Sequence, residues 1–462
     1  MSNRPDAKRA YVETYGCQMN ISDGELMEGI LASQGYEIVH APEDADVVLV
    51  NTCAIREHAE RRVLGRVAQL NALKQENPEL ILGVTGCMAQ RMGESLLDRA
   101  SHVDLVMGPD AYRGLPDRLK ALESGASAPD RGVSSGSVRA QLAVLDMDLD
   151  ENYEGLEQRR SSKVAAWVPI QRGCDHRCTF CIVPYVRGGE KNRDPQEVLD
   201  EIRKIADSEI SEVTLLGQTV NSYRHGGWDF PRLLREVARV PGIRRVRFTS
   251  PHPNDVTAEL VEAMAEEGAV CENLHLPVQS GDDRVLKRMV RRHTVDDFLA
   301  KVEMVRGAIP DISLSTDVIV AFPGETEEAF QNTLEVMRTV RFDDAFTYRY
   351  SPREGTPATR LPPEDSIPEE VGQARLQELI QLSRGIQAEI NHSETGREEE
   401  VLVEKVAKEP GQVLGRTRRN KVVAFTGEAS LVGTYLRVRL ERTSGATFAG
   451  SMMHDQTAVV SP

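Results

Sequence analysis

The chain has 462 residues, a hydrophobic fraction of 40% and a formal net charge of −16. That length suits about three domains, and the composition lies in the globular range, which excludes a wholly disordered chain or a fibre. No apolar run approaches the ~20 residues of a membrane span, and residues 1–10 are polar with no signal-peptide pattern. The expectation is therefore a cytoplasmic protein with no membrane partner, and the acidity excludes a uniformly basic nucleic-acid coat while leaving room for a local basic face.

Taken in chain order, residues 8–123 alternate apolar runs near 11–14, 47–50, 80–84 and 103–107 with helical patterns near 22–34, 55–75 and 91–100. Such alternation predicts βαβ units and an open parallel sheet. Residues 124–162 are rich in Ser, Gly and Asp and read as an exposed linker with one short strand. Residues 163–391 hold six strand patterns, at 165–170, 212–216, 245–249, 273–277, 313–320 and 345–350, with helices between them. Six successive βα units predict a partial, open (βα)6 barrel of the TIM type, closed by a helix over 368–391. Residues 392–459 carry strand runs at 400–406, 412–417, 421–425 and 434–441, separated by Gly-containing turns, and predict a small all-β barrel similar to OB-folds.

Seven cysteines stand at 17, 53, 87, 174, 178, 181 and 271. An odd count in a large chain of this kind argues against a disulfide framework and for metal, redox or catalytic use. Cys174-Asp-His-Arg-Cys178-Thr-Phe-Cys181 follows the first strand of the second domain. Three thiolates in one loop can each hold one iron of a cubane cluster, leaving the fourth iron open to a chelating ligand. Arg172 and Arg177 flank the loop and can help hold the thiolates ionised. Zinc would need a fourth ligand, and His176 inside the loop is badly spaced for it.

Cys17, Cys53 and Cys87 each directly follow a predicted strand of the first domain. The carboxyl ends of parallel strands share one edge of a sheet, so residues far apart in sequence converge there. Gly16 and Gly86 let the chain turn beside them, and the helices that follow favour thiolates at their N-termini. One such cysteine reads as a small buried hydrophobe, which is the reading for Cys271; three at equivalent places read as ligands of a second cluster with an open iron. Two such clusters imply a division of labour, one generating a radical and the other holding an exogenous group, most naturally sulfur.

The Cys-x3-Cys-x2-Cys loop resembles that of the radical S-adenosylmethionine (SAM) superfamily. The resemblance extends along the chain through Thr-Tyr-Gly-Cys17-Gln-Met-Asn, Asn-Thr-Cys53-Ala-Ile-Arg-Glu, Gly-Cys87-Met-Ala-Gln-Arg, Cys181-Ile-Val-Pro-Tyr, Leu-Gly-Gln218-Thr-Val-Asn-Ser-Tyr, His275-Leu-Pro-Val-Gln-Ser-Gly281, Phe322-Pro-Gly-Glu325 and Tyr350-Ser-Pro-Arg-Glu-Gly-Thr-Pro. With these motifs the chain is similar to the methylthiotransferases, most closely the MiaB-type tRNA enzymes. Their N-terminal, radical SAM and TRAM domains correspond to 8–123, 163–391 and 392–459. Val186, Thr219 and Ala321 depart from the pattern, and none is a cluster ligand.

The resemblance implies two [4Fe-4S] clusters and SAM as cofactors, with Cys17, Cys53, Cys87, Cys174, Cys178 and Cys181 as iron ligands. It implies SAM contacts from Gln218, Asn221, Gln279, Ser280, Phe322, Gly324 and Glu325. The radical is carried by SAM, so no side chain is expected to be catalytic itself. The implied reaction places a methylthio group on carbon 2 of an isopentenyladenosine immediately 3′ of the anticodon. Methylthiolation of threonylcarbamoyl-adenosine tRNA, or of a ribosomal protein aspartate, remains an alternative, as does a non-catalytic iron–sulfur RNA-binding protein. The implied partners are a tRNA anticodon arm, an electron donor such as flavodoxin and a sulfur source, with the chain acting as a monomer.

Residues 401–450 hold nine basic and four acidic side chains. The turn Arg416-Thr-Arg418-Arg419-Asn420-Lys421 reads as an RNA contact, since OB-like barrels bind looped RNA through such turns, and it resembles the Gly-Arg-Thr-x-x-Asn stretch of the MiaB-type TRAM domain. Arg284, Lys287, Arg288, Arg291 and Arg292 fall at helical spacing and predict a second basic stripe on one helix.

Overall fold

The computed structural model describes residues 7–54, 57–124, 141–148 and 150–453. Residues 55–56 of the predicted helix, 125–140 and 149 of the expected linker, and 454–459 of the third expected domain lie outside the described residues. The chain folds into two compact units. The first is Met1–Ser161, Gln171–Arg177 and Cys181–Arg193; the second is Ser162–Ile170, Cys178–Phe180 and Asp194–Pro462.

The first unit is built on a six-stranded parallel sheet. Its spatial order is Glu37–Ile38, Arg9–Thr14, Val47–Thr52, Ile81–Gly86, Leu105–Met107 and Leu142–Val144. The central strands Val47–Thr52 and Ile81–Gly86 are buried along their whole length. Near-continuous apolar runs are what a parallel sheet covered on both faces requires. Leu26, Met27, Ile30 and Leu119 cover one face, and Val63, Val67, Leu70 and Met88 the other. Each such side chain contributes about 1.5–3 kcal/mol by leaving water. The short strand Leu142–Val144 lies in the segment expected to be linker and extends the sheet edge.

Two helix boundaries differ from the sequence expectation. The helix after the first strand starts at Gln18, with Cys17 as its N-cap residue. The pattern over 91–100 is two helices, Cys87–Met92 and Ser95–Arg99, broken at Gly93, whose φ of 55° a side chain would resist. Both changes move a cysteine onto a helix N-terminus.

The second unit contains six parallel strands in two groups of three. Ala165–Pro169, Glu212–Leu216 and Arg245–Phe248 pair in one group, and Asn273–His275, Ser313–Val320 and Asp344–Arg349 in the other. Val246 bridges to Val270, just before Asn273, and among the described residues no pairing joins Ala165–Pro169 to Asp344–Arg349, so the barrel is open. The helices that follow these strands begin with built caps: Asp194, Asp229, Thr257, Asp282 and Thr326 each accept a backbone N–H with the side chain. Such caps stabilise by about 1 kcal/mol apiece. Val168, Val213, Leu215, Val246, Leu314, Phe298 and Phe330 form the common core.

The last segment closes a five-stranded barrel from Glu398–Val406, Gln412–Thr417, Val422–Thr426, Thr447–Met452 and Tyr435–Ser444. The strand Thr447–Met452 is absent from the sequence expectation. It pairs with both neighbours and removes the two open edges that four strands would leave.

Candidate functional site

In the first unit, Cys17, Cys53 and Cys87 all end at the carboxyl edge of the sheet. Cys17 caps the helix Gln18–Ser33, Cys53 follows the strand Val47–Thr52, and Cys87 opens the helix Cys87–Met92. The turn at Gly16 (φ 125°) is possible because glycine has no Cβ; one placed there would lie 2.4 Å from the Cβ of Cys53. Cys17 Sγ donates to Asn20 Oδ1 at 3.3 Å, and the neighbouring Cys53 thiol lowers the Cys17 thiol to about 6; Arg187 assists and burial opposes. Burial raises the Cys87 thiol, and Arg187 offsets part of that rise.

Arg187 was not singled out by sequence reasoning, and it is the cation that bonds a cysteine sulfur at this edge. Its Nε donates to Cys87 Sγ at 3.1 Å and its Nη2 to Asp23 at 2.6 Å. Asp23, fully buried, also accepts Arg172 Nη2 at 2.7 Å. Burial opposes the Asp23 charge, but the two guanidiniums hold its carboxyl below the ordinary range. Arg172 was expected to serve its own cysteine loop; it lies over the Tyr153 ring at 4.5 Å and spends its hydrogen bond on Asp23. Three sulfur donors, two helix N-termini and an adjacent guanidinium form a donor set of the kind a cubane cluster uses.

In the same unit, Cys174 is buried and its N–H donates to Gly188 O at 3.2 Å. In the second unit, Cys178 Sγ accepts Arg291 Nη1 at 3.4 Å, while Arg291 Nη2 donates to Pro277 O at 3.1 Å. This corrects the basic stripe predicted over 284–292. The helix is Asp283–Met289, Val290 adopts a left-handed conformation, and Arg291 turns inward to the sulfur and is buried.

The residues expected around SAM sit past the carboxyl ends of the second unit's strands. Gln218, Gln279 and Glu325 each keep one buried side-chain oxygen without a partner among the described residues, and so does the Tyr350 hydroxyl. Buried polar atoms are normally satisfied, so these positions fit a polar ligand. Asn221 is committed elsewhere, since both ends of its amide bond the His252 backbone, at 2.9 and 2.7 Å. Ser280 accepts Asp282 N–H at 3.3 Å. Phe322 is an apolar wall against Phe180 and Tyr350, with ring centroids 6.5 and 5.1 Å away. Gly324 (φ 84°) makes the turn, and its N–H donates to Asp365 O. Glu325 accepts Ala321 N–H at 2.7 Å and Arg375 Nη1 at 2.8 Å, which pins the turn; burial raises its carboxyl.

The basic turn of the small barrel is engaged within the second unit. Arg416 pairs with Glu404, Arg418 with Glu272, Arg419 with Glu394 and Glu399, and Lys421 with Asp343. Arg245 and Arg247 reach back from the third core strand to donate to the carbonyls of Arg416, Thr417 and Arg418 at 2.8–2.9 Å. Arg419 and Lys421 are buried; Asn420, in a left-handed conformation, is the exposed member of the turn. These contacts meet the amino ends of core strands, where Glu212, Arg245 and Asp343 lie. Cys271 is buried beside this seam, where burial raises its thiol.

Comparison with known proteins places these features in a class. Residues 168–337 match the Radical SAM superfamily, 9–108 match Uncharacterized protein family UPF0004, and 392–452 match the TRAM domain. In fold, the chain is similar to the radical S-adenosylmethionine methyltransferase TsrM from Kitasatospora setae with cobalamin and a [4Fe-4S] cluster bound. The TM-score is 0.56 at 14% identity, over 76% of this chain and 77% of that one. The chain thus carries a radical SAM domain between an N-terminal UPF0004 domain and a C-terminal TRAM domain.

Its curated relatives are closer. The chain is 43% identical over 449 residues to a tRNA-2-methylthio-N(6)-dimethylallyladenosine synthase of Chloroherpeton thalassium, covering 96% of each. It is equally identical to the enzyme of that name from Carboxydothermus hydrogenoformans, covering 96% of this chain and 98% of that one. The chain belongs to the tRNA-2-methylthio-N(6)-dimethylallyladenosine synthase family. Among the described residues, no helix is long and apolar enough to cross a membrane.

Proposed function

We propose that this protein is a radical SAM methylthiotransferase that modifies carbon 2 of isopentenyladenosine immediately 3′ of the anticodon in tRNA, giving 2-methylthio-isopentenyladenosine. The observation that carries the reading is family membership at 43% identity across 96% of the chain. It is supported by two sets of three cysteines, one in a single loop and one at the carboxyl ends of three parallel strands.

On this reading Cys174, Cys178 and Cys181 hold the SAM-binding [4Fe-4S] cluster, and Cys17, Cys53 and Cys87 an auxiliary one. When bound, the first cluster supplies the electron that cleaves SAM to a 5′-deoxyadenosyl radical, and the second holds the sulfur to be transferred. The chain's own groups bind and orient. Gln218, Gln279 and Glu325 offer their unpaired oxygens to the polar groups of SAM, while Phe322 supplies an apolar wall. Asn221 acts one step back, by fixing the His252 loop. Gly324 and Ser280 shape the turns that carry these side chains. The domain limits 8–123, 163–391 and 392–459 belong to the same proposal.

The small barrel is proposed to bind the tRNA anticodon arm. Within the 416–421 turn the exposed Asn420 is the member best placed for RNA, since Arg416, Arg418, Arg419 and Lys421 have carboxylate partners. Exposed Lys405, Lys408 and Arg442 offer phosphate contacts on the same barrel.

Anaerobic reconstitution, followed by reaction with isopentenyladenosine-containing tRNA, SAM, a reductant and sulfide, tests the reading. About eight irons per chain and the 2-methylthio nucleoside by mass spectrometry are expected. About four irons would remove the second cluster. Product formed solely on threonylcarbamoyl-adenosine tRNA would replace the substrate.

A further inference from the structure

Asp23, Arg172 and Arg187 are all fully or almost fully buried in the first unit. They place two guanidiniums on one carboxylate, so one positive charge is left for the thiols beside it. Arg187 Nη1 and Arg172 Nη1 are buried without a partner among the described residues. A buried charge in excess of its partners is costly unless a counter-charge arrives. Three thiolates around a cubane core make a net negative group, and Arg187 already donates to one of those sulfurs.

The three side chains also tie together the segments that bear the cysteines. Asp23 lies on the helix that Cys17 caps, Arg172 two residues before Cys174, and Arg187 six residues after Cys181. Ile182 and Val186, on the stretch leading to Arg187, pack against Cys87 and Ala54.

We infer that Arg187, clamped by Asp23, is a positioning residue for the auxiliary cluster: it holds a fixed positive charge and a hydrogen bond on the Cys87 sulfur, and its unbalanced charge is compensated by the bound cluster. The inference rests on the reading of Cys17, Cys53 and Cys87 as ligands. Hydrogen bonds to cluster sulfurs raise the reduction potential, and partners of metal ligands commonly change metal retention 10–100-fold when removed. Arg187→Met keeps an apolar stem and leaves Asp23 paired one-to-one with Arg172, and in the iron-free protein the neighbouring thiols can stay protonated, so no needed partner is lost.

The test uses the full chain with Cys174, Cys178 and Cys181 changed to Ala, so that bound iron reports on the other three cysteines. Iron content, the rate of iron loss to a chelator, the potential by EPR-monitored titration and iron-free thermal unfolding are measured with Arg187 intact and in Arg187→Met and Arg187→Lys. The expected results for Arg187→Met are iron loss about tenfold or more faster, a lower potential, and an iron-free melting temperature unchanged or raised. Arg187→Lys should recover part of the retention. Unchanged retention and potential in Arg187→Met would overturn the inference. A fall in iron-free stability, or failure to fold, would also overturn it, by making Arg187 a structural residue. If the parent with Arg187 intact binds no iron, the ligand reading itself fails, and the inference with it.

Discussion

Two clusters of arginines in this molecule, one in each unit, differ in their charge balance. At the seam between the small barrel and the core of the second unit, seven cations (Arg244, Arg245, Arg247, Arg416, Arg418, Arg419, Lys421) meet seven carboxylates (Glu212, Glu272, Asp343, Glu394, Glu399, Glu400, Glu404). At the cysteine edge of the first unit, Arg172 and Arg187 share Asp23 as their one carboxylate among the described residues. A balanced network has no call for a ligand and reads as structure. An unbalanced one needs an anion and reads as a site. The same residue type thus marks a joint in one place and a cofactor pocket in the other.

The largest expected effect that would break this comparison is at Arg245, which is fully buried and donates to Glu400 and to the Arg416 carbonyl. Arg245→Ala strips a partner from Glu212 and Glu400. It should destabilise the second unit by about 3–5 kcal/mol, read by denaturant unfolding, with the iron count per folded chain unaffected. A stability loss under about 1 kcal/mol would show that the seam is not held by these charges.

A smaller effect sharpens the assignment of the barrel's cations. Removing both Lys405 and Lys408 should lower the salt slope of tRNA binding by about 1 per lost phosphate contact, measured by titration at several salt concentrations. Arg418→Ala should weaken the barrel's attachment to the core and leave that slope in place, because its guanidinium is spent on Glu272 and the Val270 carbonyl. A flattened slope in Arg418→Ala would return the turn to the RNA.

The smallest effect concerns pH. His293, two residues beyond the Arg291 that serves Cys178, is lowered to about 4 by burial and by Arg291. Its unfolded value is near 6.5. The folded protein therefore holds full stability from this group above about pH 6.5 and loses it as pH falls toward 4, where the unfolded chain binds the proton first. Half-burial limits the loss to about 1–2 kcal/mol. In the iron-free protein, His293→Phe should flatten the melting temperature between pH 6.5 and 4 relative to the parent; parallel curves would refute the assignment.

Much of the fold was legible because it is written in short-range periodicity. Apolar runs marked the strands that carry Cys17, Cys53 and Cys87, and the structure places each at a strand end. The six core strands fall within a few residues of their expected places. The misses share a cause. The 284–292 stripe has helical spacing, but the chain leaves the helix at Val290 and buries Arg291 on Cys178. The fifth barrel strand, Thr447–Met452, has a small-residue run that looks weak until its neighbours close around it. Arg187 and Asp23 lie 164 positions apart, and nothing local in either segment announces their pairing.

The sequence by itself determined the two cysteine sets, the order of sheet, open barrel and small barrel, and the family, because these depend on spacing and pattern within a few turns of chain. The tertiary structure alone decided which charges are neutralised and which are left in excess. Arg416 to Lys421 look like free cations until Glu272, Asp343 and Glu394 are folded against them. Arg187 looks like a surface residue until Asp23 and Cys87 enclose it. Charge compensation in a buried place is set by distance and desolvation between remote segments, and a linear pattern holds neither.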